Sequence, residues 1–257
     1  MPRLSIAVLT LNEAENIEAC LRSAAFADQI VVIDSGSTDA TVALARAAGA
    51  EVHTYPDWQG FAVQRNRQLA HCTGDWVFFL DADEVITPGL ADEIRAAVAA
   101  DVDRVYDVRW TQVAFGRPLT HMRRGDGLPR LFPRRQLLGF EGVVHEGPTL
   151  QTPGLEHRSL PSPLLHHSRR TVHQSLLKLA QYAQLGALKR HTQGKRGGVV
   201  RGIGSALASF VRLYVFHRGF LCGREGFLHC FLVALESFFR YAALAVDQDA
   251  LDRPALR

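Results

Sequence analysis

Gly74-Asp-Trp-Val-Phe-Phe-Leu-Asp-Ala-Asp-Glu84 carries an unbroken apolar run, Trp76 to Leu80, straight into an Asp-x-Asp pair. A run of strand length without polar alternation predicts a strand covered on both faces, the environment of a parallel sheet's interior. Carboxylates ending such a strand must be solvated, paired or metal-bound, because an isolated buried charge is costly. Asp81 and Asp83 therefore mark the strand's carboxyl end, where open parallel sheets bind their ligands. Taken alone, the pair also fits capping of the helix that follows.

Working outward, Leu4 to Leu11, Ile30 to Ile33 and Glu51 to Tyr55 read as further strands. Between them lie helical stretches over about 14–27, with Ile17, Leu21 and Ala24 at helical spacing, and over about 40–48. Phe61 to His71 and Pro88 to Ala100, the latter opened by proline, complete the pattern. Four strand and helix alternations predict an α/β fold with a parallel sheet and helices on both faces. Three of the strands end in polar residues, Thr10-Leu-Asn-Glu13 after the first, Asp34-Ser-Gly-Ser-Thr-Asp39 after the second and Asp81-Ala-Asp83-Glu84 after the fourth. No G-x-G-x-x-G follows the first strand, which removes the main support for a dinucleotide site.

The rhythm changes after about residue 103. Tyr106 to Phe115 alternates as antiparallel strands do, Gly and Pro punctuate the chain to Pro163, and helical sequence resumes at Arg169 with a break at Gly194 to Gly198. The expected division is 1–165, with halves of about 3–100 and 101–165, followed by a helical region over 166–257. Of the 257 residues, the first 150 carry 14 Lys and Arg against 20 Asp and Glu, and the remainder 15 against 6. Net charges of −6 and +9 separate a half suited to cations from one suited to an anionic surface. Cys20, Cys72, Cys222 and Cys230 form no C-x-x-C pair, consistent with a reduced compartment and against structural zinc. Asn12 and Glu13 interrupt the first apolar run before any signal-peptide pattern develops, so a cytoplasmic protein is expected. Along Phe227 to Val246 and the residue that follows, His229, Glu236, Arg240 and Asp247 fall within about 20° of one line on an apolar helix. A central Glu and Arg make spanning a bilayer costly, and the sequence favours a helix lying at a membrane interface or packed on the domain.

Thr10-Leu-Asn-Glu13, Val31-Val-Ile-Asp-Ser-Gly-Ser-Thr-Asp39, Gln64-Arg-Asn66 and Gly74 to Glu84, in that order and spacing, resemble the nucleotide-sugar half of inverting family-2 glycosyltransferases of the GT-A fold. Arg130-Leu-Phe-Pro-Arg134 and Gly142-Val-Val-His-Glu146 extend the resemblance towards the lipopolysaccharide or lipooligosaccharide core β-1,4-glucosyltransferase branch. The resemblance implies a Rossmann-like, mostly parallel sheet, an antiparallel acceptor region and an amphipathic helical tail. It implies a UDP-sugar donor, glucose being favoured, a lipid-linked saccharide acceptor at the inner face of the cytoplasmic membrane, and Mg²⁺ or Mn²⁺. By the same resemblance Asp34 contacts the nucleotide base, with Thr10, Asn12, Glu13 and Ser35 beside it, and Arg65 lies near the phosphates. Asp83 is then the principal metal ligand and Asp81 lies nearer the ribose or sugar, a metal ligand as well. Ser35 stands where many relatives have a second acid, and the Glu-Asp acceptor motif is replaced near its expected place by Val-His-Glu. Glu146 is the first candidate for the base that deprotonates the acceptor and Glu141 the second, with His145 a candidate for the metal shell.

Other readings are weaker. Asp-Ala-Asp-Glu-Val85 also resembles the first motif of haloacid dehalogenase-like phosphatases, but the only lysines are Lys178, Lys189 and Lys195, all in the helical region. A polyprenyl-phosphate acceptor, or a nucleotide-sugar binding scaffold without turnover, fits the same donor half. Arg123, Arg124, Arg134 and Arg135 lack interleaved aromatics and any nucleic-acid motif, so no nucleic-acid partner is expected.

Overall fold

The computed structural model describes residues 1–123, 125–142 and 147–251. Two compact units emerge, one of residues 1–110 with 125–167, the other of residues 111–124 with 168 onward.

In the first unit, β1 (Leu4–Thr10), α1 (Ile17–Ser23), β2 (Gln29–Asp34), α2 (Thr41–Ala47), β3 (Glu51–Thr54), α3 (Phe61–His71), β4 (Trp76–Asp81) and α4 (Pro88–Ala100) follow the predicted alternation. A short strand, β5 (Glu84–Ile86), sits between β4 and α4. Helix α1 is shorter than its periodicity predicts. The Glu13 carbonyl first accepts the amides of Asn16 and Ile17 in a tight turn, and Ala24 and Ala27 close tight turns of their own after the helix. At α4, Pro88 occupies the first turn and the Thr87 hydroxyl accepts the Leu90 amide at 3.4 Å.

β1 lies between β2 and β4, parallel to both, and β3 extends the row beyond β2. Register places Thr10 beside Asp34 and Leu9 beside Asp81, bringing the polar ends of three strands to one edge. Leu4, Ile6 and Val8 join Trp76, Phe78 and Leu80 in packing with Ile17, Leu21, Leu90 and Ile94 on one face. Ala7, Leu9, Val77 and Phe79 pack with Leu69, Phe132 and Phe140 on the other. Coverage on both faces explains why β4 shows no polar alternation. Each fully buried side chain such as Ile6, Phe78 or Ile94 stabilises the fold by roughly 1.5–3 kcal/mol relative to exposure.

Beyond β4 the sheet turns antiparallel, through β6 (Val105–Ala114) and β8 (Leu128–Pro133), and β11 (His157–Arg169) reaches β5. β9 (Leu137–Glu141) and β10 (Gly147–Leu150) form a separate hairpin. The Asn66 side chain of α3 both donates to the Phe140 carbonyl, at 3.0 Å, and accepts the Phe140 amide, at 2.8 Å, which fixes β9 against the helix.

In the second unit, β7 (Arg117–Pro118) folds back on the last residues of β6. α5 (Val172–Thr192) and α6 (Val199–Val211) follow, then a π turn over 212–216, a 3₁₀ turn over 219–222, α7 (Gly223–Val246) and α8 (Gln248–Leu251). Val199–Phe216 and Gly219–Val246 are long and apolar enough to cross a membrane, by length and composition. The polar row of α7 turns inward. Arg240 pairs with Glu236 at 2.6 Å and lies against Gly186 of α5, and His229 is buried. Outward stand Phe227, Phe231, Phe239 and Val246, with Val200, Ile203 and Leu207 of α6 also exposed. Small residues let α6 and α7 approach closely, as Ser205 and Ser237 touch at 2.6 Å and Gly202 lies against Phe238.

Candidate active site

The carboxyl end of β4 holds a layered set of charges. Asp81 ends the strand and receives a guanidinium on each oxygen, Arg65 of α3 on Oδ1 at 2.7 Å and Arg130 of β8 on Oδ2 at 3.1 Å. Burial alone would raise this carboxyl, but the two arginines together hold it well below the usual carboxylate range. Arg130 is itself buried and also donates to Glu84, at 2.7 Å, and to the Phe79 carbonyl, at 3.3 Å. Burial pushes the Glu84 carboxyl up to about 7, with Arg130 pulling the other way and the Asp81 charge adding to the rise. Glu84 in turn accepts the Asp81 amide at 3.0 Å, which locks the turn between β4 and β5. Beneath it the Cys20 thiol is buried and pushed well above its ordinary value by burial and then by Glu84 and Asp81.

Asp83 meets a different partner. His166 of β11 places Nε2 3.2 Å from its Oδ2, and the neighbouring His167 amide donates to the Asp83 carbonyl at 2.8 Å. Burial lowers the His166 imidazole, but the hydrogen bond and charge of Asp83 outweigh it and the net shift is upward. A partly exposed carboxylate beside an imidazole nitrogen is a donor set that a divalent cation accepts, with the rest of the shell left to phosphate oxygens and water. Asp81, with a guanidinium on each oxygen, is placed as a charged floor beside that pair.

Around the ends of β1 and β2 the predicted nucleotide residues converge. Thr10 is 3 % exposed, and its hydroxyl has no hydrogen-bond partner among the described residues, an orphaned polar group of the kind a ligand satisfies. Asp34 is fully buried, with its carboxylate accepting the amides of Gly36, at 3.1 Å, and Ser37, at 3.1 Å. Ser35 is held by the Gln64 amide of α3 at 2.9 Å. Asn12, at φ 55°, accepts the Thr38 amide at 2.8 Å, while the Glu13 amide donates to Thr41 at 2.8 Å. These bonds bind the first two polar strand ends into one loop platform.

Glu141 ends β9, exposed, and none of the hydrogen bonds or ion pairs among the described residues joins it to Asp81 or Asp83. His145 and Glu146 lie outside the described residues. Three residues of the cluster carried no assigned role in the sequence reading: Arg130, Glu84 and His166. The β8 pairing with β4 and the His166↔Glu84 register of β11 with β5 bring them in. Glu84 and Arg130 stood inside motifs, Gly74 to Glu84 and Arg130 to Arg134, without a role of their own, and nothing in the sequence singled out His166.

Residues 5–151 match the family model described as glycosyl transferase family 2. The lipopolysaccharide core biosynthesis glycosyltransferase LpsC of Rhizobium meliloti is 29% identical over 249 residues, covering 94% of this chain and 91% of that protein. An uncharacterized glycosyltransferase of Rickettsia bellii is 27% identical over 259 residues, 94% of this chain and 86% of that one. Among solved structures, TarS 1-349 of S. aureus is 19% identical with a TM-score of 0.40 over 51% of this chain and 47% of its own. Glucosyl-3-phosphoglycerate synthase of Mycobacterium tuberculosis, solved with Mn²⁺, UDP and phosphoglyceric acid, is 26% identical with a TM-score of 0.36 over 45% and 44%. The chain thus spans less than half the length of either solved structure.

Proposed function

Since this chain belongs to glycosyl transferase family 2, we propose that it moves a sugar, glucose for preference, from a UDP-sugar to a lipid-linked saccharide such as the lipopolysaccharide core, by a single displacement with inversion. The observation that carries the reading is the pair of differently partnered aspartates at the end of β4, Asp81 between two guanidiniums and Asp83 against His166. The acceptor is supported by the Rhizobium meliloti relative, named for lipopolysaccharide core biosynthesis, which aligns over 94% of this chain.

Asp83 and His166 would hold Mg²⁺ or Mn²⁺, which when bound offsets charge on the diphosphate leaving group. Arg65 and Arg130 keep Asp81 ionised and fixed, so that its remaining lone pairs accept donor hydroxyls. The Thr10 hydroxyl and the loop platform of Asn12, Asp34 and Ser35 hold the nucleotide. The acceptor oxygen attacks the anomeric carbon, the bond to the phosphate oxygen breaks with its electron pair leaving on UDP, and a carboxylate takes the acceptor proton. Glu146 is the first candidate for that base and Glu141 the second.

The second unit supports work at a lipid surface. Its helices turn Glu236 and Arg240 inward and phenylalanines outward, and exposed Arg212, Arg218 and Arg224 flank them. Such an arrangement suits an anionic interface.

The test is UDP release from a panel of UDP-sugars, with lipid A core fragments set against polyprenyl phosphates. Asp83→Ala in a folded protein is expected to lose ~10²-fold or more in turnover, comparable with removing one electrostatic stabiliser. A near-normal rate removes Asp83 from the mechanism, and turnover with polyprenyl phosphate alone reassigns the acceptor. Unchanged turnover in Glu146→Gln moves the base to Glu141 or another acid.

A further inference from the structure

We propose that Glu51, His53 and His71 form a second cation site, separate from the sugar-transfer site, for a borderline divalent transition metal of the zinc type. Glu51 and His53 alternate onto one face of β3, and His71 is the last residue of α3. One ligand atom from each lies within 4.8 Å of the others. Glu51 opens β3, so the cluster stands towards the amino end of the strands, whereas Asp81 and Asp83 stand at the carboxyl end.

The neighbours prepare these side chains as ligands. The Gln29 amide donates to Oε2 of Glu51, at 2.9 Å, and to the His71 carbonyl, at 3.0 Å, leaving Oε1 directed at His53 Nε2 at 2.8 Å. Tyr55, the next residue on the same face, places its hydroxyl 2.9 Å from His71 Nε2, which leaves Nδ1 of that ring for a metal. A partner on the far nitrogen of a histidine, or on the far oxygen of a carboxylate, is the outer-shell arrangement that orients metal ligands. The two imidazoles stack with centroids 3.6 Å apart and planes 14° from parallel.

Two imidazoles and one carboxylate favour zinc, nickel or copper over magnesium. Around a tetrahedral ion with ligand bonds of about 2.1 Å, donor atoms stand roughly 3.4 Å apart. Binding therefore widens the Glu51–His53 contact and splays the stacked rings, at an edge where both side chains are partly exposed. The bound ion would staple edge strand β3 to the end of α3.

Isothermal titration with Zn²⁺ of the untagged, full-length protein carrying Asp83→Ala, which takes the carboxylate out of the Asp83–His166 pair, tests this. One equivalent is expected to bind, with affinity falling tenfold or more in His53→Ala and in His71→Ala. Co²⁺ should give a visible d–d band that both variants lose. Glu51→Gln, which keeps shape and the Gln29 contact, should weaken binding while leaving the circular dichroism spectrum unchanged. No stoichiometric binding by the Asp83→Ala protein, or equal binding by folded variants, overturns the proposal.

Discussion

Replacing Arg130 by methionine tests the charge network beneath β4. The side chain is 7% exposed and its partner Glu84 3%, so neither charge is shared with water. Methionine keeps the bulk of the aliphatic stem and removes the guanidinium, which leaves Glu84 buried with the Asp81 amide as its one hydrogen-bond donor among the described residues and the Asp81 charge close by. Removing one member of a buried ion pair typically costs about 3–5 kcal/mol. Arg65 still serves Asp81, so the loss falls mainly on Glu84. Its folded-state carboxyl already lies up at about 7, through burial first. A raised carboxyl favours the protonated form in the folded state. Its contribution is therefore fully present below the unfolded value, near 4.3, and is lost as pH rises through about 7. Without Arg130 the carboxyl rises further, and the deficit should be largest near pH ~8 and smaller near pH ~5. Trp58, Trp76 and Trp110 are the only tryptophans and all belong to the first unit, so their fluorescence in a urea titration follows that unit alone. Arg130→Met should lose about 3–5 kcal/mol at the higher pH, and Arg130→Met with Glu84→Gln should recover at least half of it. A loss under about 1 kcal/mol, or one independent of pH, refutes the network as described.

Because Asp83 raises His166, a cation must displace a proton from that pair, so Mn²⁺ affinity measured by electron paramagnetic resonance should climb between pH ~6 and ~8. His166→Gln should flatten the climb, and an unaltered slope would exclude His166 from the shell. Gly197→Ala would place a Cβ 2.4 Å from the Ala245 amide nitrogen, backbone that cannot rotate away. A loss of about 1–3 kcal/mol in the helical unfolding transition is expected, and none would mean that α7 shifts freely. Flotation should be stronger with anionic than with neutral liposomes, and Leu207→Glu, on the exposed face of α6, should weaken both. Equal flotation on the two compositions would rule out the charge contribution.

Much of the first unit was legible because its signals are local. α3 and α4 begin and end at the predicted residues, since Pro88 and Thr87 write the start of α4 into the sequence. β5 was not legible. Three residues between an Asp-x-Asp pair and a helix become a strand only because Leu164, Leu165 and His166 pair with them from far along the chain. The same pairing hides His166, whose place beside Asp83 no spacing within the sequence encodes. Arg130 was visible as part of a motif, yet its position beneath Asp81 depends on β8 crossing beside β4. At Asp34 the residue was found but its surroundings were not, because the Gly36 and Ser37 amides that occupy its carboxylate depend on loop conformation. In α7 the spacing of His229, Glu236 and Arg240 revealed a polar line, while its inward direction follows from Gly186 on α5.

The recruitment of residues 111–124 into the helical unit has a practical corollary. Ala114 and Leu119 are buried with Cys222 in one small cluster, so cutting the chain at residue 168 would not excise a module cleanly. It would strip a mid-chain excursion of its cover and leave bare leucine and phenylalanine on a fragment meant to be more soluble. The chain crosses between the units three times, so a tail-deletion series should report loss of solubility from its first steps. Swapping tails between relatives would have to carry that excursion along.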